Sequence, residues 1–296
     1  MIEFARQFDP NEDLKQLFIV LVIRLGPNLF SVENQLVVVT GGLGLLGREF
    51  ALALIDLGAH VAVLDQRAAE KEALRDLAKS AQQDRLLSLS ADVTKRESLE
   101  AAIAVVKAKW GVPHALINAA ALDSPPDAPA EENGPFESYP ESSWDRVVEV
   151  NLKGVFLCCQ VIGGEMARSG RGSIINIGST YGLVSPDQRL YEYRRASGAQ
   201  FFKPIAYSAS KSGLLNLTRY LATYWAARNV RVNMLTLGGV YNNQDAEFIK
   251  QYCTRVPMGR MARANEYNGA IVFLVSDASA YMTGSNLIID GGWTAW

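Results

Sequence analysis

The chain has 296 residues, a formal net charge of −2 and an apolar fraction of 49%. It can therefore bury a sizeable core, as one large α/β domain or two small ones. No basic tract is long enough to predict a nucleic-acid partner. The three cysteines, Cys158, Cys159 and Cys253, lack metal-ligand spacing, which predicts a reducing, cytoplasmic compartment and no metal site.

Residues 1–33 precede the first predicted strand and contain the apolar run Leu17–Ile23. This run is too short to span a bilayer, which needs about 20 residues. The acidic start and the lack of a small-residue cleavage site also argue against a signal peptide. We therefore expect no membrane partner and treat residues 1–33 as an N-terminal extension. Its role stays open between a helix packed on the domain, a subunit contact and an over-long translation start.

The segment from Asn34 to Gly58 reads as a strand, a glycine turn and a helix. The β-branched run Leu36–Val39 is typical of a buried strand, and apolar residues recur at helical spacing after the glycines. Such a turn brings bare backbone N–H groups and a helix N-terminus to one point, which suits a pyrophosphate. The predicted cofactor contacts here are Thr40, Gly41, Gly44, Leu45, Leu46 and Gly47.

The second predicted strand, His60–Leu64, ends at Asp65. A carboxylate at this distance from the glycines would accept hydrogen bonds from a ribose 2′-OH and repel a 2′-phosphate. Gln66 is the neighbouring contact, and Arg67 could in principle accommodate a phosphate. We therefore predict NAD as the cofactor, with NADP the less favoured choice.

The rest of the chain alternates predicted helices and strands. Thr94 is expected to cap the helix that ends near Trp110, with Glu97 in the capping-box position. The region 125–140 is predicted to be a loop, and 186–204 shows no clear period. The other predicted elements are a surface helix Ala69–Ala81, strand Leu86–Leu89, strand Ala115–Asn118, a helix from Ser142 to Arg168 interrupted near Gly154 and Gly163, strand Ser173–Ile177, helix Tyr207–Arg228, strand Val230–Leu235, helix Ala246–Cys253, helix Asn265–Val275 and strand Asn286–Ile289.

This alternation indicates βαβ units, which give a parallel sheet covered by helices on both faces. We predict one Rossmann-type, doubly wound α/β domain over 34–296 with a seven-stranded parallel sheet. Segments 122–143 and 182–205 look like insertions, and both leave the ligand-binding side of the sheet.

The clearest chemical motif is Tyr207-Ser-Ala-Ser-Lys211. On a helix, residues four apart share a face, so the Lys211 ammonium should lie near the Tyr207 phenol. At about 5 Å and an effective dielectric near 20, that attraction would lower the phenol pKa by roughly two units. Taken alone, such a pair also commonly decorates an exposed helix.

With the glycine turn and the Tyr207-x-x-x-Lys211 motif together, the chain resembles the short-chain dehydrogenase/reductase family. The motifs occur in the family's order: the glycine turn, Asp92-Val93, Asn118-Ala119-Ala120, Asn151, Ser179, Tyr207-x-x-x-Lys211 and Arg231-Val-Asn233. The resemblance implies that Tyr207 transfers a proton and Ser179 holds the substrate oxygen. It also implies that Lys211 binds nicotinamide ribose and lowers the tyrosine pKa, and that Asn151 anchors a water that relays protons. Asp92 would contact adenine, although Asp-Val-Thr also makes an ordinary helix cap.

Three departures from the family pattern bear on the cofactor. Thr40 to Gly47 reads T-G-x-x-G-x-x-G, the spacing of the extended, nucleotide-sugar-modifying branch. The family's Asn-Asn-Ala-Gly is Asn118-Ala-Ala-Ala121 here. Its usual Pro-Gly after the sixth strand is Leu237-Gly238, although Gly239-Val240 remain to contact the carboxamide. We therefore still expect Gly238 and Val240 to contact the cofactor.

The second insertion is rich in arginine and tyrosine, including Arg194 and Arg195. Arginine forks suit anions and tyrosines suit sugar faces, so we expect a polar substrate, such as an anionic or activated sugar. A solvated loop or a subunit contact is the alternative.

The expected function is NAD(P)-dependent interconversion of an alcohol and a carbonyl. The alternatives are a 3-oxoacyl thioester reductase, a nucleotide-sugar epimerase or dehydratase, and an NAD-sensing binding protein. Family members usually pack helices like 142–168 and 207–228 between subunits, so we expect a homotetramer or homodimer, which light scattering tests.

Overall fold

The computed structural model describes residues 28–69, 77, 84–123, 130–198 and 201–296. The apolar run Leu17–Ile23 lies outside the described residues, as does the predicted helix Ala69–Ala81 apart from its first residue and Leu77. Of the predicted N-terminal extension, residues 28–33 are described. Val32 is buried in the core, and the Leu29 carbonyl accepts a hydrogen bond from Ala278 N. This part of the extension therefore packs on the domain.

Seven parallel strands form one sheet in the order β3-β2-β1-β4-β5-β6-β7. The predicted α/β doubly wound fold is confirmed. The order reverses between β1 and β4, and in such sheets ligands bind outside the carboxyl ends of the strands at that point. The strands are β1 Leu36–Thr40, β2 His60–Asp65, β3 Leu86–Ser90, β4 Ala115–Asn118, β5 Gly172–Ser179, β6 Val230–Leu237 and β7 Asn286–Ile289.

Helices cover both faces of the sheet. The described helices are α1 Leu45–Asp56, α2 Arg96–Trp110, α3 Glu141–Ser169, α4 Glu192–Ala196, α5 Ile205–Trp225, α6 Ala246–Cys253 and α7 Asn268–Val275. Along β1, Leu36 and Val38 face a core shared with α2, α3 and α5, whereas Val37 and Val39 face one shared with α1 and α7. This alternation explains why the strand reads as a continuous apolar run.

Helix α3 contains two π-helical turns, Glu149–Gly154 and Cys159–Gly163. They lie where the sequence predicted interruptions, near Gly154 and Gly163. Each glycine allows a close contact, because a Cβ on Gly154 would lie 2.9 Å from Val93 Cγ2 and one on Gly163 would lie 2.8 Å from Ile174 Cδ1. Among the described helices, α3 alone is long and apolar enough to cross a membrane, yet 56% of its apolar stretch is buried in this domain.

The predicted cap of helix α2 was wrong. Helix α2 has Lys95 at its N-cap with no side-chain cap, because the Thr94 hydroxyl instead donates to Asp92 Oδ1 at 2.7 Å. The segment 186–204, which shows no clear period in the sequence, contains the 3₁₀ turn Gln188–Tyr191 followed by α4. This helix has five residues, which is too short to show a hydrophobic period.

A third, aromatic core lies beyond the carboxyl ends of β5, β6 and β7. Its buried members are Tyr181, Leu190, Tyr191, Phe201, Tyr252, Val256, Met261 and Trp293. Tyr191 stacks on Phe248 of α6 with 5.5 Å between ring centroids, and Tyr252 stacks on Trp293 at 4.5 Å. This core attaches the second predicted insertion to α6 and to the C-terminal segment.

Candidate active site

The glycine turn forms a tight cradle at the carboxyl end of β1. Gly41 has a φ of +64°, and a Cβ there would lie 2.6 Å from Ala120 Cα. A Cβ on Gly47 would lie 2.3 Å from the Gly41 carbonyl oxygen. Helix α1 begins at Leu45 and Leu46, with Gly44 as an N-cap that offers no side-chain acceptor and no acid in the first turn. The positive end of the helix is therefore left for an anion, which fits a dinucleotide pyrophosphate.

Replacing Gly47 with alanine should abolish this cradle. The added Cβ cannot avoid the Gly41 carbonyl, and overpacking of this kind costs about 1–3 kcal/mol. We expect NAD affinity to fall at least about tenfold, because distortion of the turn re-aims its N–H groups. Calorimetric titration with NAD and thermal unfolding measure both effects. Gly269→Ala is the matched control, since a Cβ there has nothing within 4 Å. Equal NAD affinity in both variants would contradict the cradle.

Asp65 lies at the end of β2 and is 8% exposed. Its Oδ2 accepts a hydrogen bond from Leu43 N at 3.1 Å, so the carboxylate also holds the glycine turn. Its Oδ1 accepts from Arg67 N at 3.0 Å, and the Arg67 guanidinium forms an ion pair with it. A carboxylate has about four acceptor sites, so room remains for a ribose hydroxyl. Gln66 begins the 3₁₀ turn that follows.

Thr40, at the end of β1, links the glycine turn to the end of β4. Its hydroxyl accepts from Ala120 N at 3.3 Å, and Ala119 packs beside it against the core. Asn118 is buried and donates to Asn176 Oδ1 at 2.9 Å, while its own Oδ1 has no partner in the described structure. These residues lie at the switch point between β1 and β4, and their contact with a cofactor stays a prediction.

Asp92 and Val93 follow β3. Hydrogen bonds from the Thr94 side chain and backbone lower the pKa of Asp92 against the opposing effect of burial. Asp92 Oδ1 accepts from Thr94 N at 2.9 Å, so the motif forms a local turn before helix α2 and does not cap the helix. Val93 is buried and contacts Gly154 of the first π turn.

The loop after β6 carries Gly238 and Val240. Gly238 N donates to Ile289 O at 2.9 Å, and Gly239 N donates to the Tyr252 hydroxyl at 2.7 Å. Val240 forms an isolated bridge with Ala262. The Tyr252 hydroxyl thus fixes the loop that is predicted to hold the nicotinamide carboxamide. No local sequence pattern indicates this hydrogen bond between Gly239 and Tyr252.

The proposed reacting groups converge at the carboxyl ends of β5 and the start of α5. Lys211 is 3% exposed, and its Nζ donates to Ile177 O at 2.8 Å. That Nζ lies 5.9 Å from the centroid of the Tyr207 ring. A hydrogen bond joins Tyr207 to Ser179, whose hydroxyl also accepts from Tyr181 N at 3.2 Å. The structure therefore brings together three residues that the sequence predicted as one site.

The predicted electrostatics of Tyr207 need correction. Burial raises its pKa above the ordinary value and the Asp123 carboxylate raises it further, against the hydrogen bond with Ser179. Burial likewise lowers the pKa of Lys211 to about 8, although Asp123 opposes this. The prediction that Lys211 lowers the phenol pKa by about two units was wrong, because it omitted the desolvation of the phenol.

Asn151 lies in the first π turn and is fully buried. Its side-chain amide accepts from Leu122 N at 2.7 Å and donates to Leu122 O at 2.9 Å. It also donates to Ser210 Oγ at 3.2 Å, one residue before Lys211. The side chain therefore ties the loop after β4 to helix α5, beside the predicted site.

The arginines of the second insertion do not point to an anion site. Arg195 donates to the Phe201 and Gln188 carbonyls at 3.0 Å each, so it supports the loop. The Arg194 guanidinium lies 5.0 Å from the Phe201 ring. The prediction that these forks bind substrate is not supported, because backbone carbonyls and aromatic rings engage them.

The histidines and cysteines are structural where described. His114 Nδ1 accepts from Leu36 N at 3.0 Å, and the His60 ring packs on Trp110 at 5.1 Å between centroids. Burial raises the pKa of the Cys159 thiol to about 12. Within the described ranges, no three His, Cys, Asp or Glu residues cluster as a metal site would require.

Comparison with known proteins now identifies the family. A family model described as enoyl-(acyl carrier protein) reductase matches residues 44–294. An NAD-dependent glycerol dehydrogenase of Listeria innocua is 34% identical, over 90% of this chain and 96% of that protein. A D-threitol dehydrogenase of Mycolicibacterium smegmatis is 33% identical, over 90% and 95% of the two chains.

Solved structures agree. A short-chain dehydrogenase from Leptospira borgpetersenii with bound NAD+ is 31% identical, with a TM-score of 0.76 over 89% of this chain and 94% of that one. A gluconate 5-dehydrogenase from Burkholderia cenocepacia in complex with NADP and tartrate is 26% identical, with a TM-score of 0.77 over 91% and 98%. The chain therefore belongs to the short-chain dehydrogenase/reductase family of NAD(P)-dependent oxidoreductases that act on CH–OH groups.

Proposed function

We propose that this protein is an NAD-dependent dehydrogenase that interconverts a secondary alcohol and a ketone on a polyol or related sugar-like substrate. The observation that carries the proposal is the convergence of buried Ser179 and Lys211 with half-buried Tyr207 at the carboxyl end of the sheet, where the glycine cradle also lies. The substrate class is supported by relatives named for glycerol, D-threitol, D-arabinitol and galactitol.

In the proposed reaction, each residue has a distinct task. The Ser179 hydroxyl holds the alcohol oxygen, and the Tyr207 phenolate removes its proton. Lys211 binds the ribose and keeps positive charge near the phenol. Asn151 holds the loop after β4 through Leu122 and donates to the Ser210 hydroxyl of helix α5. When bound, the nicotinamide accepts the hydride that leaves the carbinol carbon.

The glycine cradle, Asp65 and the loop at Val240 would hold the dinucleotide. Asp65 supports NAD over NADP, because a 2′-phosphate would meet a nearly buried carboxylate. Arg67 lies beside it but is already paired with Asp65. We expect at least tenfold higher kcat/KM with NAD than with NADP, about 1.4 kcal/mol of discrimination. Steady-state kinetics with both cofactors measure this, and a preference for NADP would contradict it.

The substrate class is tested by following NADH formation with glycerol, threitol, arabinitol and galactitol. Turnover that requires Tyr207 supports the proposal. Acetoacetyl thioester and a nucleotide sugar test the alternative reactions. Faster reduction of the thioester than of any keto-sugar would replace the polyol proposal.

We extend the proposal to assembly. Helix α3 exposes Trp144 and Phe156, and helix α5 exposes Tyr220 and Tyr224. A homotetramer or homodimer packed through these two helices would cover such large aromatic side chains.

A further inference from the structure

A lysine stands four residues before Tyr207 as well as four residues after it. The Lys203 Nζ lies 4.9 Å from the centroid of the Tyr207 ring, closer than the 5.9 Å of Lys211. The Lys203 side chain is only 8% exposed. A lysine this buried is rare unless its ammonium is paired.

Asp123 supplies that pairing. Its carboxylate forms an ion pair with Lys203 across 80 positions of sequence. Asp123 lies one residue after Leu122, whose backbone the Asn151 amide holds through two hydrogen bonds. The two charges therefore reach the tyrosine from separate parts of the chain.

The backbone of Lys203 is also fixed. The Gln188 side-chain amide accepts from Lys203 N at 2.9 Å and donates to Lys203 O at 3.1 Å. Arg195 in turn holds the Gln188 carbonyl. Pro204 follows as the N-cap of α5, so the lysine enters the helix in a defined direction. The second insertion thus supports Lys203 rather than presenting its arginines to a ligand.

Several charged or titratable groups face Tyr207. They are Ser179 from β5, Lys211 on α5, Tyr252 from α6, Asp123 after β4 and Lys203 before α5. The Asp123 carboxylate raises the pKa of Tyr207, whereas an ammonium 4.9 Å from the ring favours the phenolate. The pair therefore applies opposing charges to one phenol.

We propose that Lys203 and Asp123 form a charge-balanced pair that positions Tyr207 and sets the pH at which it exchanges a proton with substrate. Lys203 is a second positioning cation, held by the insertion, and Asp123 limits its effect. This inference rests on the proposed function, because Tyr207 is taken as the acid–base group.

The test compares Lys203→Met, Asp123→Asn, the double variant and Lys203→Arg. Alcohol oxidation needs the phenolate, so kcat/KM rises with pH through the apparent pKa of Tyr207. Loss of the cation should move that rise to higher pH by about one unit, and loss of the carboxylate should move it to lower pH by a smaller amount, because the Asp123 side chain is 62% exposed and water screens its charge. The double variant should return close to the wild-type profile, and Lys203→Arg should retain it.

The matched control is Lys107→Met, which removes a lysine–carboxylate pair between α2 and α3 that involves no candidate site residue. It should leave the pH profile unchanged. Shifts of the same sign in both single variants, or none, would overturn the proposal, since a merely structural pair cannot give opposite shifts that cancel. Circular dichroism checks that each variant is folded, and Lys203→Arg and Asp123→Asn retain the side-chain volume.

A second measurement does not need turnover. The Tyr207 ring carbon that bears the hydroxyl is followed by ¹³C NMR in the NAD-bound protein, with Tyr207→Phe giving the assignment. The pH at the midpoint of its chemical-shift change should be higher in Lys203→Met and lower in Asp123→Asn than in the wild type. Opposite shifts without alcohol turnover would contradict the polyol proposal but keep the pair. Turnover with unmoved midpoints would contradict the pair alone.

Discussion

Tyr207→Phe should lower kcat for alcohol oxidation by about 10²–10⁴-fold while leaving the fold and NAD binding intact. Phenylalanine keeps the ring in its place beside Lys203 and Lys211 but removes the oxygen that would exchange the proton. A positioned acid–base group contributes a factor of this size. Initial rates of NADH formation measure the loss, and calorimetric titration measures NAD affinity.

Tyr224→Phe is the matched control for this experiment. It removes the hydroxyl of another tyrosine on the same helix, which is 66% exposed and stacks on Tyr220. Its rate should equal that of the wild type. If both variants retained full activity, Tyr207 would not be the acid–base group, and a binding role for the protein would gain support.

Lys211→Met should cost about 10²-fold in activity and yet not destabilise the protein at neutral pH. Burial lowers the pKa of Lys211 from 10.5 to about 8, so the buried ammonium is costly. A difference of about 2.5 units corresponds to about 3 kcal/mol at neutral pH. Lys211→Met removes this cost. It also removes the hydrogen bond to the Ile177 carbonyl, and the loss of that bond costs about 1–3 kcal/mol, which offsets most of the gain.

The sign of the pH dependence follows from proton binding. Between about pH 8 and pH 10.5, the unfolded chain binds more protons at Lys211 than the folded chain does. The free energy of unfolding of the wild-type protein therefore increases as pH rises through this range. Lys211→Met lacks that gain. Denaturant unfolding should therefore show its relative stability falling from about pH 7 to about pH 10. Lys250→Met, at a 73% exposed side chain, is the control. A relative stability that rises with pH would contradict the buried ammonium.

Much of the architecture is predictable because its determinants are local. The run at Leu36–Val39 and the glycines after it define a strand and a turn without knowledge of the rest of the chain. The spacing of Tyr207 and Lys211 likewise defines one helix face. Where the hydrophobic period was interrupted, near Gly154, the structure has a π turn.

The electrostatics and the substrate side could not be predicted in the same way. The pKa of Tyr207 depends on burial by elements far away in sequence and on Asp123, which no spacing rule connects to it. Arg195 was expected to bind an anion, but it binds two carbonyls that the fold brings to it. The sequence shows that Lys203 stands four residues before Tyr207. Its role could not be predicted, because it depends on the burial of the Lys203 side chain and on its ion pair with Asp123.

The paired bonds from Asn151 to Leu122 also restrict the backbone that carries Asp123. They hold both backbone groups of Leu122 to a π turn of helix α3. Asp123 follows Leu122 directly, so the same amide limits how far the Asp123 carboxylate can move from Lys203. The charge next to the tyrosine is therefore fixed by the helix on which Asn151 lies.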